Sequence, residues 1–392
     1  VDRVVVVGGS VAAVNAVDGL RRAGHQGDIT LVSAEHLLPY DRPALSKEAL
    51  REGHPHDSLL IKKPGWYEEN AVEVRLGAAA VGLDAAAKTL FLAGGRELSY
   101  DGLVVATGCR PRPLGMLDGV PQVHEVRSFG DAQVLHEELR PGRRLVIIGA
   151  GFIGLEVAAT ARKLGLDVSV VEIAPVPLTR VLGAELGHWF QDHHVAQGVD
   201  FYCGNGIDRV EVTSGGNRVR LADGTVLTAD LIVAGVGVQP ECGWLEGSGV
   251  EVANGVLCDE TLRTTAPDVV AAGDLVRWPN RLFGETMRVE QWLNAVEQGN
   301  HAARTLLGEN EPYAPVPYFW SDQFDAKIKF VGQVDGRDQV KIVQADDTSL
   351  VALFGRGERL RGALCINAPR QLALSKRDIL NGVSWAEAAS RA

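Results

Sequence analysis

The chain has 392 residues, 46% of them hydrophobic and 23% charged, the composition of an ordinary soluble globular protein long enough for two or three domains. A net charge of −11 argues against a nucleic-acid partner. No apolar run approaches the roughly 18 residues of a membrane span. The five cysteines (Cys109, Cys203, Cys242, Cys258 and Cys365) include no C-x-x-C pair, which argues against a disulfide framework, a zinc site or any other metal centre and suits a reducing cytoplasm.

Val1-Asp2-Arg3 leads straight into an apolar strand, Val4 to Val7, with none of the regions of a signal peptide. Gly8-Gly9-Ser10-Val11-Ala12-Ala13 then occupies the position of a phosphate turn. A helix to about Ala23, a strand from Ile29 to Val32 and an acid, Glu35, complete a nucleotide-binding unit. Ser10 and Ala13 stand where the second and third glycines of the fingerprint belong; both are small, so backbone approach to a phosphate stays feasible. Pro39 to Lys47 reads as a turn and a helix start with Ser46 as N-cap. Arg42 could clamp a pyrophosphate through two parallel hydrogen bonds and Lys47 could sit near a redox centre; the alternative is a surface loop with two solvated cations. Ala71 to Leu98 reads as a small antiparallel excursion turning at Gly94-Gly95, and Tyr100 to Gly108 as a buried strand running into a glycine turn. The stiff Cys109-Arg110-Pro111-Arg112-Pro113 segment marks the first crossing between domains.

The fullest signal is Leu145 to Glu172. A short apolar run enters Gly149-Ala150-Gly151-Phe152-Ile153-Gly154. A helix follows with Ile153, Val157, Ala158, Ala161 and Leu164 on one face, Gly165 closes it, and a second β-branched run ends at Glu172. Gly149 makes the tight turn, Gly151 admits the pyrophosphate, and Gly154 lets helix pack on strand. Free N–H groups at the helix start favour the phosphates, and Glu172 accepts from a ribose 2′-OH and repels a 2′-phosphate, so NAD is favoured over NADP. Ala229 to Gly237 then repeats the strand-into-glycine pattern of Leu103 to Gly108, and Gln239-Pro240 echoes Arg110-Pro111, so the chain returns to its first domain after about Pro240. A strand ending at Gly273-Asp274 offers a carboxylate to sugar hydroxyls. A helix from about Glu290 to Leu307 presents Trp292, Leu293, Val296, Ala303, Leu306 and Leu307 on one face. Past the proline-spaced linker Pro312 to Pro317 come Tyr318 to Gln323, β-type runs at Ile328–Val331, Gln339–Val343, Leu350–Phe354 and Gly362–Ile366, and a helix over roughly Arg370 to Leu380. The expected fold is α/β, with two Rossmann-like dinucleotide-binding domains and a C-terminal α+β domain. The expected boundaries are 1–111 with 241–311 for FAD, 112–240 for NADH, and 312–392 for the last domain.

These motifs, in this order, resemble the two-dinucleotide-binding-domain flavoprotein reductases, and more closely the NADH-dependent ferredoxin reductases that feed Rieske-type oxygenases and haem-thiolate monooxygenases. The resemblance covers nearly the whole chain. It is carried by PYDRPALSK (Pro39 to Lys47), GFIGLE (Gly151 to Glu156), AAGD (Ala271 to Asp274), RVEQWLNAVEQG (Arg288 to Gly299) and PYFWSDQF (Pro317 to Phe324). It implies FAD in the first domain and NADH in the second. Gly8, Ser10, Ala13, Glu35, Arg42, Thr107, Gly108 and Asp274 match FAD contacts. The resemblance adds Ala106, Arg110, Phe152, Ile153, Arg180, Gly235, Val236, Gly237, Gly273, Glu290 and Gln291 to the cofactor-binding set. Lys47 and Glu156 match a Lys/Glu pair beside flavin N5; the alternative for Glu156 is a helix carboxylate with a structural partner. Trp292 and Trp320 match positions near the flavin, with plain core as the alternative, and Trp320 is the one taken as catalytic. The helix from Glu290 would aim its N-terminus at the side of the flavin that becomes negative on reduction.

The implied activity is hydride transfer from NADH to FAD, then single electrons to a [2Fe–2S] ferredoxin that supplies an oxygenase in aromatic hydrocarbon catabolism. The protein is expected to be cytoplasmic, a monomer or weak homodimer, with no nucleic-acid or membrane partner. A rubredoxin reductase, an NADH oxidase or disulfide-type reductase, and a redox-sensing flavoprotein are the rivals. The disulfide chemistry lacks its cysteine in Arg42 to Lys47, and Cys109, the one thiol beside an FAD motif, reads more simply as a buried spare. For the ferredoxin, Glu311 to Ala392 carries eleven Lys+Arg against ten Asp+Glu, net +1, which leaves −12 on the remainder. Lys327, Lys329, Arg370, Lys376 and Arg377 are either a docking patch or an ordinary solvated face.

Overall fold

The structure is a computed structural model and describes residues 1–346 and 348–391. By its internal contacts the chain divides into two compact units: residues 1–41, 55–110 and 239–319, and residues 42–54, 111–238 and 320–392.

The first unit is built on a parallel five-stranded sheet in the order Val269–Ala271, Gly102–Val105, Arg3–Val7, Asp28–Val32, Val72–Arg75. Its strands are near-continuous β-branched and aliphatic runs, RVVVV and GLVV among them, and are almost wholly buried. That is the pattern of a sheet covered on both faces. Val72–Arg75, expected within the antiparallel excursion, is instead the sheet's edge strand, in parallel register with Ile29 to Val32. The excursion itself is the three-stranded meander Ala80–Asp84, Thr89–Leu92, Arg96–Ser99, and both Gly94 and Gly95 have positive φ at its last turn.

Two helices, Val11–Arg22 and Trp292–Leu306, pack closely in this unit. Of the apolar face expected, Ala303 and Leu306 are buried while Trp292, Leu293, Val296 and Leu307 stay half-buried; the helix also buries Asn294, Ala295, Gln298, Gly299 and Ala302. Small residues win that face because the backbones nearly touch. A Cβ on Gly299 would lie 2.3 Å from the Ala12 carbonyl oxygen, and one on Gly19 would lie 3.0 Å from the Ala303 Cβ.

The second unit repeats the topology. Its parallel sheet runs Val123–His124, Leu231–Ala234, Arg144–Ile148, Asp167–Glu172, Val199–Cys203, and its meander is Ile207–Thr213, Gly216–Leu221, Val226–Ala229. In each sheet the strand that enters the glycine turn is central, so each turn opens at the carboxyl end of the sheet, where such folds bind ligands.

The C-terminal part is a five-stranded sheet in the order Tyr318–Gln323, Ala326–Gly332, Arg359–Ile366, Leu350–Arg356, Gln339–Ala345, followed by the helices Pro369–Leu380 and Trp385–Ser390. The last helix escapes sequence reading because it is six residues long and held by distant partners, Lys341 donating to the Ala389 carbonyl among them. The Trp385 ring lies over Gly355, where a Cβ would come within 2.2 Å of it. Asp338, with no exposed side chain, is held by Arg356 at 2.8 Å. No helix among the described residues is long and apolar enough to cross a membrane, and no described group of three or more side chains could hold a metal ion.

The helix contact yields a prediction. Gly299→Ala sets a methyl against backbone atoms that cannot rotate away, so the helices must part. We expect a loss of about 1–3 kcal/mol in denaturant unfolding, with weaker flavin retention. An unchanged unfolding midpoint would show that the contact yields freely.

Candidate active site

In the second unit the strand Arg144–Ile148 ends at Gly149, which has φ +100° and whose Cβ would lie 2.4 Å from the Gly235 carbonyl oxygen. Only glycine satisfies both conditions. Gly154 would set a Cβ 2.3 Å from the Gly149 oxygen, so it allows the helix Phe152–Lys163 to sit against the turn. Gly151 differs: it is the helix N-cap, and no atom lies within 4 Å of where its Cβ would be. The space is open at the positive end of a helix dipole, which suits a phosphate. Glu172 lies at the end of the neighbouring strand. One of its oxygens accepts from the Ala150 N–H and the other from the Ala174 N–H, both at 2.8 Å. The carboxylate is thus pinned to the turn and keeps lone pairs for a further donor. Ile153, expected on the buried helix face, is instead 49% exposed beside this opening. Arg180 and Gly237 are exposed, and Gly235 and Val236 are partly so.

The first unit repeats the device. Gly8 has φ +146°, and its Cβ would fall 2.2 Å from the Ala106 carbonyl oxygen. A Cβ on Gly9, which the sequence did not single out, would fall 2.1 Å from the Ser33 hydroxyl oxygen. Ser10 is the N-cap of Val11–Arg22 with extended backbone, so no glycine is needed there, and Ala13 is wholly buried in helix packing. Glu35 accepts from the Tyr40 hydroxyl at 2.6 Å. The Thr107 hydroxyl donates to the Glu241 carbonyl, and Arg110 pairs with the Glu241 carboxylate at 3.3 Å, which pins the returning chain beside Gly108. The Gly273 N–H donates to Gln298 Oε1 at 2.8 Å, and the Asp274 carbonyl accepts from Arg288 at 3.0 Å. Arg288 also pairs with Glu290 at 2.6 Å.

Gln291 is the N-cap of the helix Trp292–Leu306, one residue later than expected. Gln291 Oε1 and Gln298 Nε2 are buried polar atoms without protein partners, a cost that a polar ligand in this cradle would remove. The two glycine turns, the open N-cap and these orphaned atoms fit dinucleotides. Trp292 donates from its indole to Asp41 at 2.8 Å, and burial holds the Asp41 carboxyl above its ordinary range despite that bond.

Arg42, Lys47 and Glu156 belong to the second unit. Arg42 donates to the Arg127 carbonyl. Glu156, 5% exposed, lies in the helix within the unbroken buried run Gly154 to Ala161. Its Oε2 accepts from Lys47 Nζ at 2.7 Å and from the Ser46 hydroxyl, and its Oε1 accepts from the Ser321 hydroxyl at 2.6 Å. Ser46 is therefore not an N-cap. It ends the 3-10 turn Pro43–Ser46, Lys47 takes the cap position without a side-chain bond, and the Ser46 hydroxyl is committed to the carboxylate. Trp320, one residue before Ser321, is half-buried. Sequence reading found the Lys/Glu pair but missed Ser46 and Ser321 as its partners. Neither serine carries a signal in the sequence that separates it from a cap or a surface serine.

A family model described as pyridine nucleotide-disulphide oxidoreductase matches residues 2–299, and one described as reductase C-terminal matches residues 318–391. The ferredoxin–NAD(+) reductase component of the p-cumate 2,3-dioxygenase system of Pseudomonas putida is 36% identical over 380 residues, which span 96% of this chain and 93% of that one. The ferredoxin reductase for the CYP199A2 system from Rhodopseudomonas palustris superposes with a TM-score of 0.93 at 35% identity, over 98% of this chain and 96% of that one. The reductase in the covalent putidaredoxin reductase–putidaredoxin complex superposes with a TM-score of 0.93 at 32% identity, over 97% and 93% of the two chains.

Four of the five thiols are held toward the protonated form: burial raises Cys203 to about 11 and Cys365 to about 12, with Cys242 and Cys258 raised for the same reason. His194, wholly buried, is pushed down to about 4 by burial, with a smaller contribution from neighbouring His193, against a hydrogen bond to Gln323. A depressed folded-state value means that the unfolded chain takes the proton first. The stability from neutral His194 is present above pH 6.5 and is lost as pH falls toward 4, on the order of 3 kcal/mol. His25, His124 and His301 are displaced the same way. We expect the unfolding midpoint to fall across this window and His194→Gln to flatten the fall. Equal slopes in wild type and variant would rule out His194 as a source of the acid sensitivity.

Proposed function

We propose, because the chain belongs to the pyridine nucleotide-disulphide oxidoreductase family and ends in the reductase C-terminal domain, that it is an FAD-dependent NADH:ferredoxin reductase whose electrons feed an oxygenase. The observation that carries this reading is likeness over the whole length, 36% identity across 96% of the chain, to a protein named as a ferredoxin reductase component of a dioxygenase system. Bound FAD supplies the conversion of a hydride pair into single electrons. The chain's own residues align and charge the site. The open N-cap at Gly151 takes the NADH pyrophosphate, and Glu172, fixed by two backbone donors, accepts from the ribose and excludes a 2′-phosphate. Lys47 and Glu156 form the charged pair that governs hydride transfer, with the Lys47 ammonium held by the carboxylate and the Pro43 carbonyl. Disulfide exchange is disfavoured because the segment holding Lys47 has no cysteine and the thiols with shifted values are pushed toward the protonated form. The same free thiols suit a reducing cytoplasm.

The test is single-electron reduction of cytochrome c with NADH or NADPH, with and without a [2Fe–2S] ferredoxin. Strong NADH preference and a large gain from ferredoxin are expected. Flavin reduction by NADH with no gain from any ferredoxin would move the function to an oxidase, a quinone-type reductase or a sensor. Glu172→Gln keeps the fold and narrows the NADH/NADPH ratio of kcat/KM about tenfold, through roughly 1.4 kcal/mol of lost discrimination. An unchanged ratio would place specificity elsewhere.

Arg370 and Arg377, exposed on and near the helix Pro369–Leu380, belong to the basic face proposed for the ferredoxin. Reversing both charges slows ferredoxin reduction, more at low salt than at high, and leaves flavin reduction by NADH intact. Unchanged ferredoxin kinetics would remove this face from the docking surface.

A further inference from the structure

We propose that Ser321, Gln323 and His194 form a positioning chain that aims and charges the Glu156 carboxylate, so that the C-terminal domain sets the geometry of the Lys47–Glu156 pair. The inference rests on the reading of that pair as the centre of hydride transfer.

The chain is continuous and its direction is determined. His194 Nε2 lies 2.9 Å from Gln323 Oε1. An amide oxygen only accepts, so the histidine carries its proton on Nε2. Its other nitrogen, Nδ1, is buried without a partner, which makes this ring the end of the chain. The Gln323 amide donates to the Ser321 hydroxyl oxygen at 3.1 Å, which leaves the serine proton to point at Glu156 Oε1, 2.6 Å away. Every link thus donates toward the carboxylate, and each bond polarises the next.

Its place is set by packing. His194 is the eleventh residue of the helix Ala184–Val195, and Ser321 and Gln323 point the same way from one strand. The Phe324 ring meets the His194 ring edge-on at 5.0 Å. Ser321, Gln323 and His194 are 1%, 0% and 0% exposed, so water cannot stand in for a lost link. The two carboxylate oxygens are also served unequally. Oε2 has Lys47 and Ser46, whereas among the described residues Oε1 has Ser321 alone. Losing that serine leaves a buried charged oxygen unsatisfied, and the carboxylate turns or moves away from Lys47 to recover a donor. Ser46 is fixed independently by the Thr160 hydroxyl, which donates to its carbonyl at 3.0 Å, so the C-terminal strand supplies the adjustable side of the site.

The test is a double-mutant cycle on the full-length flavoprotein. Flavin reduction by NADH is followed in stopped flow at saturating and sub-saturating NADH, and thermal unfolding is read alongside. Ser321→Ala should lower the limiting rate about tenfold, as expected for one hydrogen bond to a charged group. NADH affinity should be unchanged, and the unfolding midpoint should fall by about 2–4 °C. Ser321→Thr, which keeps the hydroxyl, should restore both readings to within about twofold and about 1 °C of wild type. Gln323→Met should give a smaller loss of the same kind. In a Glu156→Ala background, Ser321→Ala should cost nothing further in either reading. Additive losses there, or failure of the threonine to rescue, would overturn the chain. If Glu156→Ala itself leaves flavin reduction at the wild-type rate, the reading of the Lys47–Glu156 pair falls first and takes this inference with it. If Glu156→Ala is slow while Ser321→Ala is fast, the pair stands and the positioning chain alone is lost.

Discussion

A carboxylate buried in the middle of a helix is the constraint on which the second unit depends. Glu156 sits among Leu155, Val157 and Ala158, all out of water. An ionised carboxylate there costs several kcal/mol unless a cation and full hydrogen bonding compensate it. Compensation comes from two distant stretches, Ser46-Lys47 and Ser321, so each must be delivered to the helix that carries Glu156. This explains why the short segment 42–54 groups with residues 111–238 rather than with its sequence neighbours. A buried ion pair of this kind rarely increases stability over an apolar core of equal volume. Its retention points to chemistry that needs a fixed charge, which is the role proposed for it.

The two dinucleotide units show which parts of a glycine fingerprint are physically obligatory. The first glycine is needed in both. Gly8 and Gly149 each have positive φ, and each would drive a Cβ into a carbonyl oxygen of the strand running alongside, Ala106 at 2.2 Å and Gly235 at 2.4 Å. The second position needs no special backbone: Ser10 and Gly151 are both extended N-caps. The third depends on how near the helix comes. Gly154 would collide with the Gly149 oxygen, whereas Ala13 already fits its methyl into the core. The departures at Ser10 and Ala13 therefore fall where the backbone tolerates them.

How far the chain could be read follows from the range of the forces involved. Strand, turn, helix and acid at Leu145 to Glu172 were legible because each element is set by local periodicity and by glycines with one conformational use. The repeat of that pattern gave the architecture. What stayed hidden was settled by distant partners. Val72–Arg75 joins the parallel sheet through Ile29 to Val32, and nothing within four residues distinguishes it from the meander that follows. The helix Trp292–Leu306 buries small residues because Ala12 and Ala16 lie against Gly299; of its expected apolar stripe only Ala303 and Leu306 are buried. Trp385 is held by a glycine thirty positions upstream. At the site, Glu156 carried a readable signal, an acid inside the unbroken apolar run GLEVAATA. Its partners at Ser46 and Ser321 carried none, since a hydroxyl facing a buried carboxylate is indistinguishable in sequence from a cap or a surface serine.

The family's name invokes disulfide chemistry, and the physical state of this chain's thiols argues for a different use of the scaffold. A nucleophilic cysteine requires a thiolate, and a thiolate requires a cation or a helix N-terminus beside it. Here burial pushes Cys203, Cys242, Cys258 and Cys365 toward the protonated form, and the Glu172 carboxylate adds to the effect at Cys203. Lys47, held in the second unit, is spent on a carboxylate instead. Cys109, the thiol beside an FAD motif, lies 3.5 Å from the Arg288 guanidinium in the first unit. Where electrons leave singly for a ferredoxin, the rate rests on how the acceptor docks. An acidic carrier would meet the least repulsion at the last 82 residues, which carry +1 against −12 on the remainder.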